Sequence, residues 1–134
     1  MSELTIGPLE AAVLKHLWSS GSGSVKDLHR TLGRPRRVSL NTVQSAMDRL
    51  YRKDLLARTK VGHAYVYEPA VTRQELGMRL IRQAVAPLAQ EPSLLINAAV
   101  DYAEHEGDGV LEELEALVTE RLEHRRRKGG DHDR

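Results

Sequence analysis

Cysteine and phenylalanine are both absent from this 134-residue chain. Without Cys there is no disulfide, no thiolate metal site and no cysteine nucleophile. Aromatics are 4% of the residues, with Trp18 and four tyrosines making up the whole set. No uncharged stretch approaches the roughly 20 apolar residues that a membrane helix needs. The opening Met1-Ser2-Glu3-Leu4 lacks the basic-then-apolar order of a secretory signal. A cytoplasmic protein away from membranes is expected. Hydrophobic residues at 40% and charged residues at 29% exclude a disordered or collagen-like chain. The length allows one domain or two very small ones.

Charge is present but unevenly placed. Residues 1–72 carry 11 Lys/Arg and 6 Asp/Glu, a net +5, whereas residues 73–134 carry 9 and 13, a net −4. Residues 29–63 alone reach +7, from 9 basic and 2 acidic groups. A localised positive field suits a polyanion such as nucleic acid, although a solvated basic face has the same composition.

Apolar spacing divides the first half into three helices. Gly7 and Pro8 suit a helix start at Pro8–Ser20, because Pro lacks an N–H that would be unpaired there anyway. Leu9, Ala12, Val13 and Leu17 form its stripe, with Leu14 and Trp18 widening it. Ser24 caps a short second helix, Val25–Leu32, with Asp27 in its first turn. Gly33-Arg34-Pro35 breaks the chain, and Ser39 caps a third helix to about Lys53. The stripe Val43, Ala46, Met47, Leu50 and Tyr51 points its inner face. Two strand-like runs follow, Leu55–Val61 and Ala64–Tyr67, joined at Gly62-His63 as a hairpin turn.

Thr72-Arg73-Gln74-Glu75 is a capping box, in which each side chain bonds the other's free backbone N–H. The helix it opens carries Leu76, Leu80, Ile81, Ala84 and Val85 and meets Pro87. Pro92–His105 and about Val110–Arg127 read as two more helices, parted by Gly107 and Gly109, and Gly129–Arg134 as a disordered tail. The expected class is mainly α with a small β-hairpin. The expected domains are 1–71, 72–128 and the tail 129–134.

Three helices and a hairpin in this order describe a winged helix-turn-helix, whose third helix enters the major groove while the wing reaches the backbone or minor groove. The third helix presents Asn41, Thr42, Gln44 and Ser45, which can pair with base edges, and then Asp48, Arg49 and Arg52. With its cap Ser39 and the terminal Lys53, and with Arg58, Lys60 and His63 on the wing, these residues form the expected DNA-binding set. Arg34, Arg36 and Arg37 sit in the loop between helices, either against phosphates or simply solvated.

Several segments together carry a resemblance. They are Gly7-Pro8-Leu9-Glu10 with Val13 and Leu17-Trp18, then Val25-Lys26-Asp27-Leu28-His29 and Asn41-Thr42-Val43. Asp48-Arg49-Leu50-Tyr51-Arg52-Lys53 and Gly62-His63-Ala64-Tyr65-Val66-Tyr67-Glu68-Pro69 complete them. Over about residues 5–75 the chain resembles the penicillinase-repressor (BlaI/MecI) family of bacterial transcriptional regulators. The resemblance implies a dimer that binds an inverted-repeat DNA operator and represses genes, those of β-lactam resistance or cell-envelope stress among them. It departs from the family at Asp54, where a Gly is usual. It lacks the C-terminal cysteines of copper-responsive relatives, and Asn97 is followed by Ala98 where penicillinase-type repressors are cut by a regulatory protease between Asn and Phe.

Residues 72–134 hold more apolar faces than a piece so small can bury alone. Pairing two copies through Leu94, Ile96, Val100, Leu111, Leu114, Val118 and Leu122 would cover them, and packing on the N-terminal domain is the other way to do so. A two-fold axis also matches palindromic DNA at a spacing of about 34 Å. No nucleophile–base pair, phosphate loop or metal-ligand cluster is present, so neither an enzyme nor a cofactor is expected. His105 with Glu104 and Glu106, or His124 with Glu120 and Glu123, is the best weak metal arrangement. The competing class is a winged-helix protein-interaction module whose basic face meets an acidic partner.

Overall fold

The computed structural model describes residues 3–88 and 91–132. Helix α1 is Pro8–Ser20, and strand β1 is the two-residue Gly23–Ser24. Helix α2, Val25–Leu28, runs on into a π-helical turn, His29–Gly33, and α3 spans Leu40–Arg52. Strands β2, Leu56–Val61, and β3, Ala64–Pro69, form the wing. Helix α4 is Arg73–Val85, followed by a 3-10 turn, Ala86–Leu88, then α5, Pro92–His105, and α6, Val110–His132.

Local chemistry sets the ends of these elements. Ser24 accepts from the Asp27 N–H at 3.2 Å while its own N–H donates to the Asp27 carboxylate at 3.0 Å. The same reciprocal box holds Thr72 and Glu75, at 3.0 Å in both directions. Ser39 caps α3 by accepting from Thr42 N–H at 3.1 Å. Asp54, just past α3, takes φ 63°, which places an Asp in the left-handed region. Gly62 takes φ 65° in the wing turn.

The sheet has three strands in the order β1-β3-β2, all antiparallel. β1 pairs Gly23 with Tyr67 and Ser24 with Val66, and so ties the start of α2 to the wing. Sequence spacing misses this strand because two residues show no alternation.

The chain forms two compact units, Met1–Ala84 and Val85–Arg134. The core of the first holds Val13, Leu14, Leu17, Leu28, Val43, Met47, Leu50 and Leu55, all essentially inaccessible. Each such side chain is worth about 1.5–3 kcal/mol of burial, which fixes the inward face of α3. Gly33 lets α2 and α3 approach. A Cβ there would lie 2.6 Å from His29 Cδ2 and 3.0 Å from Val43 Cγ2.

Helix α4 packs with this first unit, which runs to Ala84, beyond the 71/72 boundary expected from the sequence. Leu76 is buried, Leu80 lies against the core, and the Gln83 amide bonds the Leu4 backbone twice, at 2.6 and 2.8 Å. Such side chain–backbone bonding across 79 residues leaves no trace in periodicity.

In the second unit, α5 and α6 pack on each other. Helix α6 passes the expected end near Arg127 and carries Gly129 and Gly130 within it, so residues 129–132 of the expected tail are helical, and its last two residues lie outside the described ones. The preceding Arg125–Lys128 are good helix formers, which offsets a glycine cost of about 1 kcal/mol each. Among the described residues of this unit only Ala103 is buried.

Candidate nucleic-acid interface

Helix α3 is amphipathic along its whole length. Val43, Ala46, Met47 and Leu50 are buried, whereas Asn41, Thr42, Gln44, Ser45, Arg49 and Arg52 are exposed. A 13-residue helix is about 20 Å long and of a width that the major groove admits. The first two turns therefore offer amide and hydroxyl groups, and the last offers cations. Thr42 Oγ1 lies 2.9 Å from Ser39 Oγ, so the cap and the first outward hydroxyl share a hydrogen bond.

The basic residues divide into free and committed ones. Arg52 projects outward and donates to Asp48 at 2.8 Å, with its side chain 76% exposed. Arg49 is also outward, 3.7 Å from the Glu10 carboxylate. Lys53 turns inward instead, with Nζ 2.7 Å from Glu10 Oε2 and a second bond to the Thr5 carbonyl. Glu10 is buried, and its Oε1 also accepts from Gly7 N–H at 3.4 Å. The C-terminal turn of α3 is thus fastened to the N-terminal turn of α1.

On the wing, Lys60 and His63 are exposed. Arg58 is only 24% exposed and is held on several sides. Its guanidinium carbon lies 3.9 Å from the Tyr51 ring centroid and 4.2 Å from that of Tyr65. Its Nη1 lies 3.4 Å from the Tyr67 hydroxyl and 3.6 Å from Asp48 Oδ1. The Tyr67 hydroxyl, accepting from the guanidinium, raises the Arg58 pKa further above its ordinary value.

A cleft of about 380 Å³ separates α3 from the wing, lined by Asn41, Gln44, Ser45 and Asp48 on one side and Arg58, Tyr65 and Tyr67 on the other. The expected residues Asn41, Gln44, Ser45 and Arg58 come together here. Ser39 and Thr42 lie at the helix start, and Lys60 and His63 on the outer wing. Arg34, Arg36 and Arg37 are exposed in the loop before α3.

Sequence reasoning missed the tyrosines. Tyr51 stands four residues after Met47 and reads as part of the inward stripe, yet it is 37% exposed and its ring lies beside Arg58. Tyr65 and Tyr67 share one strand face by their two-residue spacing, and the register sets Arg58 opposite Tyr67 and Lys60 opposite Tyr65. That three of the four tyrosines fall in two short segments was the available signal.

Of the seven residues expected in dimerisation, Leu94, Ile96, Leu111, Val118 and Leu122 are exposed, and Val100 and Leu114 are half-buried. Val100, Leu111, Leu114 and Val118 line one shallow groove. His105 Nδ1 lies 2.7 Å from the Asp101 carbonyl, within its own helix. Among the described residues no three His, Asp or Glu side chains gather as a metal site would require. No helix among them is long and apolar enough to cross a membrane.

Comparison with known proteins agrees with this geometry. The sequence profile of the penicillinase repressor family matches residues 6–120. Transcriptional regulator BlaI of Mycobacterium tuberculosis, in two strains, is 31% identical over 122 residues, covering 90% of this chain and 88% of the relative. Among solved structures, transcriptional regulator Tm0710 from Thermotoga maritima superimposes with a TM-score of 0.45 and 22% identity, covering 88% of this chain and 80% of that one. The family match and the curated relatives are sufficient by themselves: this chain belongs to the penicillinase repressor family and is a DNA-binding transcriptional repressor, not an enzyme.

Proposed function

We propose that the protein represses transcription as a homodimer on an inverted-repeat operator, each copy placing α3 in one major groove. The observation that carries this reading is the uncovered polar face of α3 beside a basic wing. Asn41, Thr42, Gln44 and Ser45 read base edges. Arg49 and Arg52, at the far end of the helix, and Lys60 and His63, on the wing, meet the phosphates. Ser39 and Lys53 serve the same surface indirectly, one by capping α3 and the other by anchoring its end.

Dimerisation through the second unit is supported by its poor internal burial. Ile96 is 63% exposed and Val118 50% in a single copy, as are their apolar neighbours in part. A lone two-helix unit gains too little from burial to hold such a face in water. A second copy would cover it and would give the two-fold symmetry of a palindromic site. Direct obstruction of polymerase at promoters of β-lactam-resistance or envelope-stress genes, in the cytoplasm, completes the reading.

The test is selection of genomic fragments with purified protein at physiological salt. Recovery of one inverted repeat is expected. Exchange of Thr42 and Ser45 should change which sequence is retained, and Arg52→Ala should weaken all duplexes about equally. Retention indifferent to sequence and lost in added salt would refute specific recognition. No retention at all would favour a protein-interaction module.

A further inference from the structure

The wing is a two-stranded ribbon with a two-residue β1 along one edge, and a hairpin of this size is marginally stable by itself. Something must hold it at a set distance from α3 if both are to meet DNA together. The side chain that spans the gap is Arg58. One face of its guanidinium is covered by Tyr51, from α3, and another ring, that of Tyr65, comes from β3 at 4.2 Å. Its Nη1 faces both Tyr67 on β3 and Asp48 on α3. Each element thus supplies one ring and one polar partner. Lys60, two residues along the same strand face, is exposed.

We propose that Arg58 is a positioning residue, whose guanidinium pins the wing to α3 and sets the spacing of the two DNA-reading elements, in place of bonding a phosphate. This inference rests on the operator-binding reading above. Asp48 has a matching part, since its carboxylate also accepts from Arg52 and so joins the wing, the middle of α3 and its exposed end. A planar cation suits the site, because a lysine ammonium cannot present a flat face to two rings while also reaching Tyr67 and Asp48.

The test uses full-length protein and two variants that leave the wing's own cations in place, Arg58→Lys and Tyr51→Leu. The first measurement needs no DNA: backbone ¹⁵N heteronuclear NOE values at residues 60–65, with Trp18 fluorescence confirming the fold. Lower values are expected in both variants. The second is binding, over a range of salt concentrations, to the duplex retained in the selection described above. Both variants should bind about tenfold more weakly, with a smaller slope of log affinity against log salt as the unpinned wing's Lys60 and His63 leave their phosphates. A wing as rigid as in the parent protein would overturn the proposal, and so would full affinity in Arg58→Lys. Should the parent protein retain no duplex, the operator reading fails by itself, and the NOE values still decide whether Arg58 holds the wing.

Discussion

Replacing Glu10 with Ala should unfasten α3 from α1. The Glu10 side chain is 8% exposed and bonds Lys53 at 2.7 Å, with Arg49 at 3.7 Å as an outer neighbour. Removing one partner of a fully buried ion pair costs about 3–5 kcal/mol, because the other charge is left uncompensated. Lys53 is 27% exposed and keeps the Thr5 carbonyl, so water recovers part of that loss. A cost of about 2 kcal/mol is therefore expected. For a unit of this size that corresponds to a fall of about 10 °C in melting temperature. Trp18 is the sole tryptophan and lies in α1, so its fluorescence reports on the first unit. Arg49→Ala serves as the comparison. It breaks only a long, half-exposed contact and should cost no more than about 0.5 kcal/mol. Lys53→Ala should cost much as Glu10→Ala does, and the double variant little more than either alone. A Glu10→Ala melting shift no larger than that of Arg49→Ala would refute the reasoning, as would strict additivity with Lys53→Ala.

Other consequences are equally open to measurement. Asp54 holds φ 63°, a conformation that costs L-residues energy, so Asp54→Gly should raise stability by about 0.5–1 kcal/mol in urea titrations; a loss of stability would show that no strain is stored there. The Ser24 backbone N–H, the Ser24 side chain and then Arg30 hold the Asp27 carboxyl below its ordinary value. A depressed carboxyl stabilises the fold above its unfolded pKa of about 3.9, and the contribution disappears as pH falls through the lower folded value. Asp27→Asn should therefore flatten the acid side of the stability–pH curve in that window and leave its shape above pH 5 nearly unchanged. Leu114→Asp, in the groove between α5 and α6, should give monomers by sedimentation and abolish operator binding; a dimer of unchanged mass would exclude the proposed interface.

Much of this molecule is local, and the local part is legible. The boxes at Ser24–Asp27 and Thr72–Glu75, the Ser39 cap and the Gly62 turn each lie within four residues, where side chain and backbone choose one another without help. The outward set on α3 follows from the same periodicity that names its core. Tyr51 shows where that inference stops. Its spacing is that of a core residue, but at the last turns of α3 the neighbouring surface is the wing, and what meets the ring is a guanidinium. Lys53 departs from expectation in the opposite sense. A lysine at the end of a recognition helix suggests phosphate, yet Glu10, 43 positions earlier, draws it inward.

The sequence by itself determined the order of the helices and of the two wing strands, the basic half, the outward polar face of α3 and the family, because these depend on spacing and residue type along a continuous stretch. Only the tertiary structure decided which cations of α3 and the wing are held by other side chains and which are exposed. It also decided that α4 belongs with the winged helix and that Arg58 bridges the wing to α3. Those outcomes depend on pairings as remote as Leu4 with Gln83, and pairings of that kind exist only after the core has brought distant segments within hydrogen-bond reach.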